Sequence, residues 1–144
     1  MTLARVLREL PGNEAATRPD HPHPGLRGRR YAIPFEQVWT AAVALVATAA
    51  RWQLIDADDQ AGVILAEART RILKFIDDVE IRISLDADAQ TRVDMASRSR
   101  VGKADLGTNA RRIRHFLHRL DRRLNASPGL TLPPESGADT VLSA

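Results

Sequence analysis

Hydrophobic and polar residues alternate most clearly between Val79 and Leu85. Every second residue of this segment is aliphatic, and Glu80, Arg82 and Ser84 stand between the aliphatic positions. A period of two is typical of a strand that has one face on the core and the other face in water. The pattern therefore predicts a half-buried antiparallel strand.

Other short apolar segments, separated by turn residues, predict further strands. The predicted strands cover residues 31–33, 52–57, 63–71, 79–85 and 91–101. The turn between the second and third strands ends at Gly62, which can adopt positive φ without steric strain.

Two segments have helical periodicity. After Pro34, apolar residues recur every third or fourth position up to about residue 51, and proline is well tolerated at a helix start. A second helix is predicted to begin at Thr108 or Asn109, either of which can cap its free N–H groups. Its apolar stripe ends at Leu124.

The order of these elements predicts an α+β fold. One helix, four consecutive strands and a closing helix indicate an antiparallel sheet of about five strands with two packed helices. The order β-α-β-β-β-β-α favours a helix-grip-like arrangement, and a ferredoxin-like or saddle-shaped sheet is the alternative.

Composition divides the chain of 144 residues into three parts. Residues 1–30, rich in proline, glycine and arginine towards their end, are predicted to form a poorly ordered arm. Residues 31–124 form one α+β domain, and residues 125–144 form a flexible tail. The longest apolar run, 40–50, is shorter than the roughly 20 residues that span a bilayer. The start lacks the apolar segment of a signal peptide, so we expect cytoplasmic residence.

Arginine supplies 19 of the 21 basic residues, and cysteine is absent. Residues 98–123 contain nine basic residues against two acidic ones, whereas residues 51–90 contain five against nine. The simpler interpretation is that one part of the fold pairs with the other. A basic patch for an anionic partner is the alternative. Without cysteine, no disulfide framework, thiolate metal site or cysteine nucleophile can form.

Two motifs resemble a known bacterial family. They are the segment 75–81, Phe-Ile-Asp-Asp-Val-Glu-Ile, and the segment 97–109, which contains Ser-Arg-Val-Gly at 99–102 followed by Asp105, Gly107 and Asn109. At this spacing they are similar to the family called domain of unknown function 1499. The resemblance covers about residues 33–124. It implies a fold but no activity, because the family has none assigned.

The first polar cluster combines carboxylates with arginines. Alternation places Asp78 and Glu80 on one strand face, and Arg98 and Arg100 lie on a neighbouring predicted strand. Two such carboxylates can bind a hard cation or act as acid and base. We favour ion pairing with the arginines, because acidic clusters beside arginine commonly form salt bridges.

The second polar cluster is the loop between the last strand and the last helix. Its two glycines and Lys103 precede a helix N-terminus, an arrangement that suits a phosphate or carboxylate. The alternative is a structural turn in which Asp105 pairs with Arg100 or caps the helix. No Walker or dinucleotide motif is present.

Other site types have little support in the sequence. His115 and His118 share a helix face, but a transition-metal site needs three or four ligands, so we interpret them as surface residues. No nucleophile elbow occurs, and the basic segments lack the aromatic residues that stack on nucleic acid bases. Catalytic residues, metals and cofactors are not predicted, and nucleic acid is not an expected partner.

We therefore predict a non-enzymatic binding or interaction module for a small anionic ligand or a protein partner. The candidate ligand-binding residues form a polar seam: Asp78, Glu80, Arg98, Arg100, Lys103, Asp105 and Asn109. The alternative is an enzyme that uses Asp78 or Glu80 as acid and base and holds an anionic substrate with Arg98 or Arg100.

Overall fold

The alternating segment lies in β5, Ile76–Leu85, at the centre of an antiparallel sheet. The computed structural model describes residues 14–100, 107–126 and 129–133. Strand β5 pairs with β4, Val63–Arg69, on one side and with β6, Thr91–Ser99, on the other. It begins three residues before the predicted start, so that Asp77 and Asp78 belong to the strand.

Six strands, two α-helices and one short 3-10 helix, Pro24–Leu26, make up the described part of the chain. The remaining elements are β1 Glu14–Ala16, β2 Arg29–Tyr31, α1 Phe35–Thr48, β3 Trp52–Asp58 and α2 Thr108–Arg123. The sheet order is β1-β6-β5-β4-β3, and β2 also pairs with β6. The predicted α+β class, with an antiparallel sheet and two helices, is confirmed. The sixth strand was not predicted.

Two of the strands come from the segment that the sequence assigned to an N-terminal arm. Residues 14–16 pair with β6, and residues 29–31 replace the strand predicted at 31–33. Strands of three residues are too short for a period of two to be visible, which explains why β1 was missed and β2 was predicted two residues too late. Residues 1–13 of the arm lie outside the described residues.

A short piece of the predicted tail lies beside β2. The Ala32 amide donates to the Leu130 carbonyl, and the Leu132 amide donates to the Arg30 carbonyl. These bonds satisfy backbone groups along the otherwise free edge of β2. Residues 127–128 and 134–144 of the tail lie outside the described residues.

Both helices pack on the same face of the sheet and form the core with it. The predicted apolar stripes are confirmed: the buried apolar residues of the helices are Val38, Ala42, Leu45, Val46, Ile113, Phe116, Leu117 and Leu120. They lie against aliphatic side chains of β4, β5 and β6 in one buried cluster. Gly62 has φ of +69°, as predicted, and a Cβ there would lie 2.2 Å from the Ile83 carbonyl oxygen. A larger residue would therefore disrupt the β3–β4 turn.

Candidate functional site

The outer face of the sheet, opposite the helices, carries a row of charged residues. The strand register aligns Glu67, Asp78, Arg98 and Glu14 across four neighbouring strands. Arg98 faces Asp78 on one side and Glu14 on the other, and such pairs of opposite charge stabilise a sheet, whereas the facing pair of Glu67 and Asp78 carries like charges. Arg98 Nη1 lies 3.7 Å from Glu14 Oε2 at one end of this row.

Arg100 binds both carboxylates at the other end of the row. Its Nε donates to Asp78 Oδ2 at 2.9 Å, and its Nη2 donates to Asp78 Oδ1 at 2.6 Å and to Glu67 Oε1 at 2.8 Å. The bonds to Asp78, and then those to Glu67, raise the pKa of Arg100 above its ordinary value. The bidentate geometry fixes the planar guanidinium in place.

Glu80 has a similar partner on its own strand. Its Oε1 lies 2.6 Å from Arg82 Nε, and the Glu80 side chain is almost fully buried. The two residues are two positions apart and therefore share the outer face. The two described carboxylates of the predicted seam, Asp78 and Glu80, thus both lie against arginines, which is the arrangement expected of structural ion pairs.

Asn109, the second residue of α2, lies against the opposite face of the sheet. Its Nδ2 donates to Ser99 Oγ at 2.9 Å, and its Oδ1 accepts from Ser97 Oγ at 2.7 Å and from Arg112 Nη1 at 3.0 Å. Arg112 Nη1 also lies 2.7 Å from Asp77 Oδ2. Asp77, Ser97 and Asn109 are buried, so this network joins the start of α2 to the sheet.

The predicted seam is therefore divided between two faces. Asp78, Glu80, Arg98 and Arg100 lie together on the outer face, whereas Asn109 lies on the helix face. Lys103 and Asp105 lie outside the described residues. The alternation of β6 already separates Ser97 and Ser99 from the two arginines and groups them with Val93 and Met95, on the apolar face that the helices cover.

A cleft of about 1050 Å³ opens on the helix side, at the end of the sheet where β5 begins. Its walls come from the end of α1, the start of β3, the β4–β5 turn and α2. The basic residues that line it are Arg51, Arg69, Arg71, Arg111, Arg112, Arg114, His115, His118 and Arg119. Ser99 and Thr108, which flank the loop predicted to bind an anion, also line the cleft.

The positive charge of the cleft is almost unbalanced. Asp77 is the only carboxylate among the described lining residues, and Arg112 already lies against it. Within the described part of the chain, Arg51, Arg69, Arg71 and Arg119 form no ion pair. Several guanidinium groups that lie together without carboxylates create a strongly positive local potential.

Part of the cleft wall is apolar. The Trp52 ring stacks on the Phe116 ring with centroids 5.3 Å apart and planes 17° apart. Phe75, Ile72 and Leu73 continue the apolar lining on the β4–β5 turn. The cleft thus combines an apolar wall with cationic groups, a combination typical of sites that orient a small ligand.

The sequence shows the basic excess of residues 98–123, but it does not show that these residues line a cleft. The arginines that line it come from the end of α1, the β4–β5 turn and α2, which are distant in the chain. Their approach depends on how α2 packs, which no local pattern reports. His115 and His118 are exposed on α2, as predicted for surface histidines.

The described residues include neither a metal-ligand cluster nor a membrane-spanning helix. Among residues 14–100, 107–126 and 129–133, no group of three or more His, Asp or Glu side chains is placed to hold a metal ion. Within the same ranges, no helix has the length and apolar content needed to cross a bilayer.

A comparison with protein-family models gives a match. The family model described as "Protein of unknown function (DUF1499)" matches residues 9–120, which is most of the chain. This range includes both motifs on which the resemblance rested. A search of curated proteins finds no match.

Proposed function

The chain belongs to the DUF1499 family, and we propose that it is a binding module whose ligand is a small anion with an apolar part, held in the cleft. The observation that carries this proposal is the group of arginines in the cleft that have no carboxylate partner within the described residues. Arginine binds phosphate and carboxylate through two parallel hydrogen bonds, so these side chains suit either headgroup.

The apolar wall supports an amphiphilic ligand over a bare anion. Trp52 and Phe116 offer an aromatic surface beside Arg119 and Arg69. An apolar chain against these rings would add hydrophobic binding energy to the ionic contact. Inorganic phosphate alone would gain only the ionic contact.

The outer-face seam is a weaker location for the ligand. Both oxygens of Asp78 accept hydrogen bonds from Arg100, and Glu80 lies against Arg82. An anion at Arg100 would have to displace carboxylates that already bind it. An enzyme that uses Asp78 or Glu80 as acid and base would likewise have to release them from their arginines, so we rank the enzymatic alternative second.

The test compares three probes by thermal shift and calorimetry: dodecyl phosphate, inorganic phosphate and dodecanol. At equal concentrations we expect dodecyl phosphate to stabilise the protein most, because it has the lowest Kd; a concentration of one hundred times that Kd corresponds to about 2.7 kcal/mol. The Arg119→Gln variant should bind dodecyl phosphate at least tenfold more weakly, since a charged hydrogen bond contributes about 1.5–3 kcal/mol.

Arg122→Gln is the matched control, because Arg122 lies on the same helix, is exposed and does not line the cleft. It should bind dodecyl phosphate as the wild type does. Equal affinities for dodecyl phosphate and dodecanol, or an equal loss in both variants, would refute a cationic site in the cleft.

A further inference from the structure

The turn between β4 and β5 forms an ordered hairpin end at the rim of the cleft. The Thr70 amide donates to the Phe75 carbonyl at 2.8 Å, and the Phe75 amide donates to Thr70 Oγ1 at 2.8 Å. These two bonds close a loop of four residues, Arg71 to Lys74. We call residues 69–75 the hairpin tip.

The hairpin tip exposes large apolar side chains. Ile72 is 86 % exposed, Leu73 is 67 % exposed and Phe75 is 39 % exposed. They are adjacent in the chain and lie at one end of the sheet. Single exposed apolar residues are common on protein surfaces, but a contiguous group of three large ones marks an interaction surface.

The same tip is cationic throughout. Arg69, Arg71 and Lys74 flank the apolar residues, and no acidic residue occurs between positions 68 and 76. The nearest carboxylates in the chain, Glu67 and Asp77, lie against Arg100 and Arg112. Further arginines of the cleft lie behind the tip and extend the positive surface.

From this arrangement we infer that the hairpin tip docks on the surface of an anionic bilayer. Ile72 and Leu73 would enter the boundary between headgroups and acyl chains, and the flanking basic residues would contact anionic headgroups. A bilayer interface offers apolar and anionic groups side by side, which matches the mixture at the tip. The charge complementarity favours this surface over a second copy of the chain, whose tip would be equally positive.

Docking does not require the cleft to be occupied, because the tip side chains are themselves exposed. Vesicle binding is therefore expected both with and without dodecyl phosphate. The inference and the proposed function can fail separately: one is measured on vesicles, and the other on a ligand in solution.

The test is co-sedimentation of the full chain with phosphatidylcholine vesicles and with vesicles that also contain phosphatidylserine. We expect binding only to the anionic vesicles, and weaker binding as salt rises. The double variant Ile72→Ser/Leu73→Ser should bind anionic vesicles at least about tenfold more weakly, because it lacks the two apolar side chains whose transfer from water into the bilayer favours binding. Arg71→Gln/Lys74→Gln should lose roughly fivefold for each charge removed.

Leu85→Ser is the matched control, since Leu85 is 57 % exposed at the opposite end of β5. It should bind vesicles as the wild type does, and equal thermal midpoints would show that all variants fold. The inference is overturned if the wild type does not bind anionic vesicles. It is also overturned if the Ile72/Leu73 double variant binds as tightly as the wild type, since that result would indicate attraction of polyanions by the arginines alone.

Discussion

Asp77 and Asp78 are adjacent in the chain, yet their carboxylates contact guanidinium groups on opposite faces of the sheet. Asp77 lies against Arg112 of α2, and Asp78 binds Arg100 beyond the end of β6. Successive residues of a strand point to opposite faces, so one dipeptide contributes to two separate charge networks. The inner network fixes α2 to the sheet, whereas the outer one joins β4 and β5 to the chain that leaves β6.

The inner ion pair should contribute strongly to stability. Asp77→Asn leaves the buried Arg112 guanidinium without its carboxylate, and removing one partner of a buried pair costs about 3–5 kcal/mol. We expect the free energy of unfolding, measured in urea, to fall by about 3 kcal/mol. The lower end of the range applies because Arg112 keeps its hydrogen bonds to Ser97 and Asn109. Asp20→Asn, which removes an exposed pair with Arg18, should leave stability unchanged. Equal effects of the two substitutions would contradict this assignment.

The outer network should be weaker and independent of ligand binding. Arg100→Ala leaves Asp78 and Glu67 without their shared cation, and since Arg100 is 43 % exposed we expect a loss of about 1–2 kcal/mol. Arg100→Lys should fall between this variant and the wild type, because lysine keeps the charge but not the bidentate geometry.

Dodecyl phosphate affinity should be the same in Arg100→Ala as in the wild type. A loss of affinity with unchanged stability would instead place the ligand on the outer seam and contradict the location proposed in the cleft.

Long elements could be predicted from the sequence because their periodicity repeats. The ten residues of β5 and the sixteen of α2 contain several periods, and the apolar stripe of α2 is buried as the pattern indicated. In β5 the pattern correctly buried Val79, Ile81 and Ile83, but Glu80, predicted to face water, is buried as well, and Leu85 is exposed. Strands β1 and β2 have three residues each, and pairing with β6 rather than local preference holds them in place. Tertiary contacts of this kind are not visible in a single short segment.

The positions of candidate site residues could be predicted only where the alternation of a strand determines which face a side chain occupies. The period of two correctly placed Asp78 and Glu80 on one face, with Arg98 and Arg100 beside them. It could not place Asn109, because the contact of this α2 residue with Ser97 and Ser99 depends on how α2 packs on the sheet. The cleft was missed for the same reason, since it forms where segments distant in the chain approach one another.

Asp86 should make stability sensitive to acid. Its hydrogen bond from Arg30, at 2.5 Å, is the main cause that lowers its pKa from 3.8 to about 2. A carboxyl with a lowered pKa stabilises the fold above its unfolded pKa, and this contribution disappears as pH falls from about 4 to about 2. Thermal midpoints across this range should fall less in Arg30→Gln than in the wild type. Asp59→Asn, an exposed substitution, should retain the wild-type pH dependence; identical profiles for all three proteins would contradict the assignment.

Tyr31 should make the stability of the fold decrease at alkaline pH, because its pKa is raised where that of Asp86 is lowered. It is fully buried, and its hydroxyl donates to Asp121, which also accepts from Arg29. Burial, and then the bond to Asp121, raise the pKa of Tyr31 well above its usual value. The unfolded chain releases this proton near pH 10, whereas the folded chain keeps it, so stability should fall as pH rises above about 10.

Tyr31 is the only tyrosine of the chain, so tyrosinate absorbance reports its ionisation directly. The absorbance should rise only when the protein unfolds, at the same pH as the loss of the circular dichroism signal. Tyr31→Phe should lose about 1 kcal/mol at neutral pH, since one hydrogen bond to Asp121 is removed. It should also show a flatter decline of stability above pH 10 than the wild type. Ionisation of Tyr31 near pH 10 in the folded protein would contradict the buried hydrogen bond.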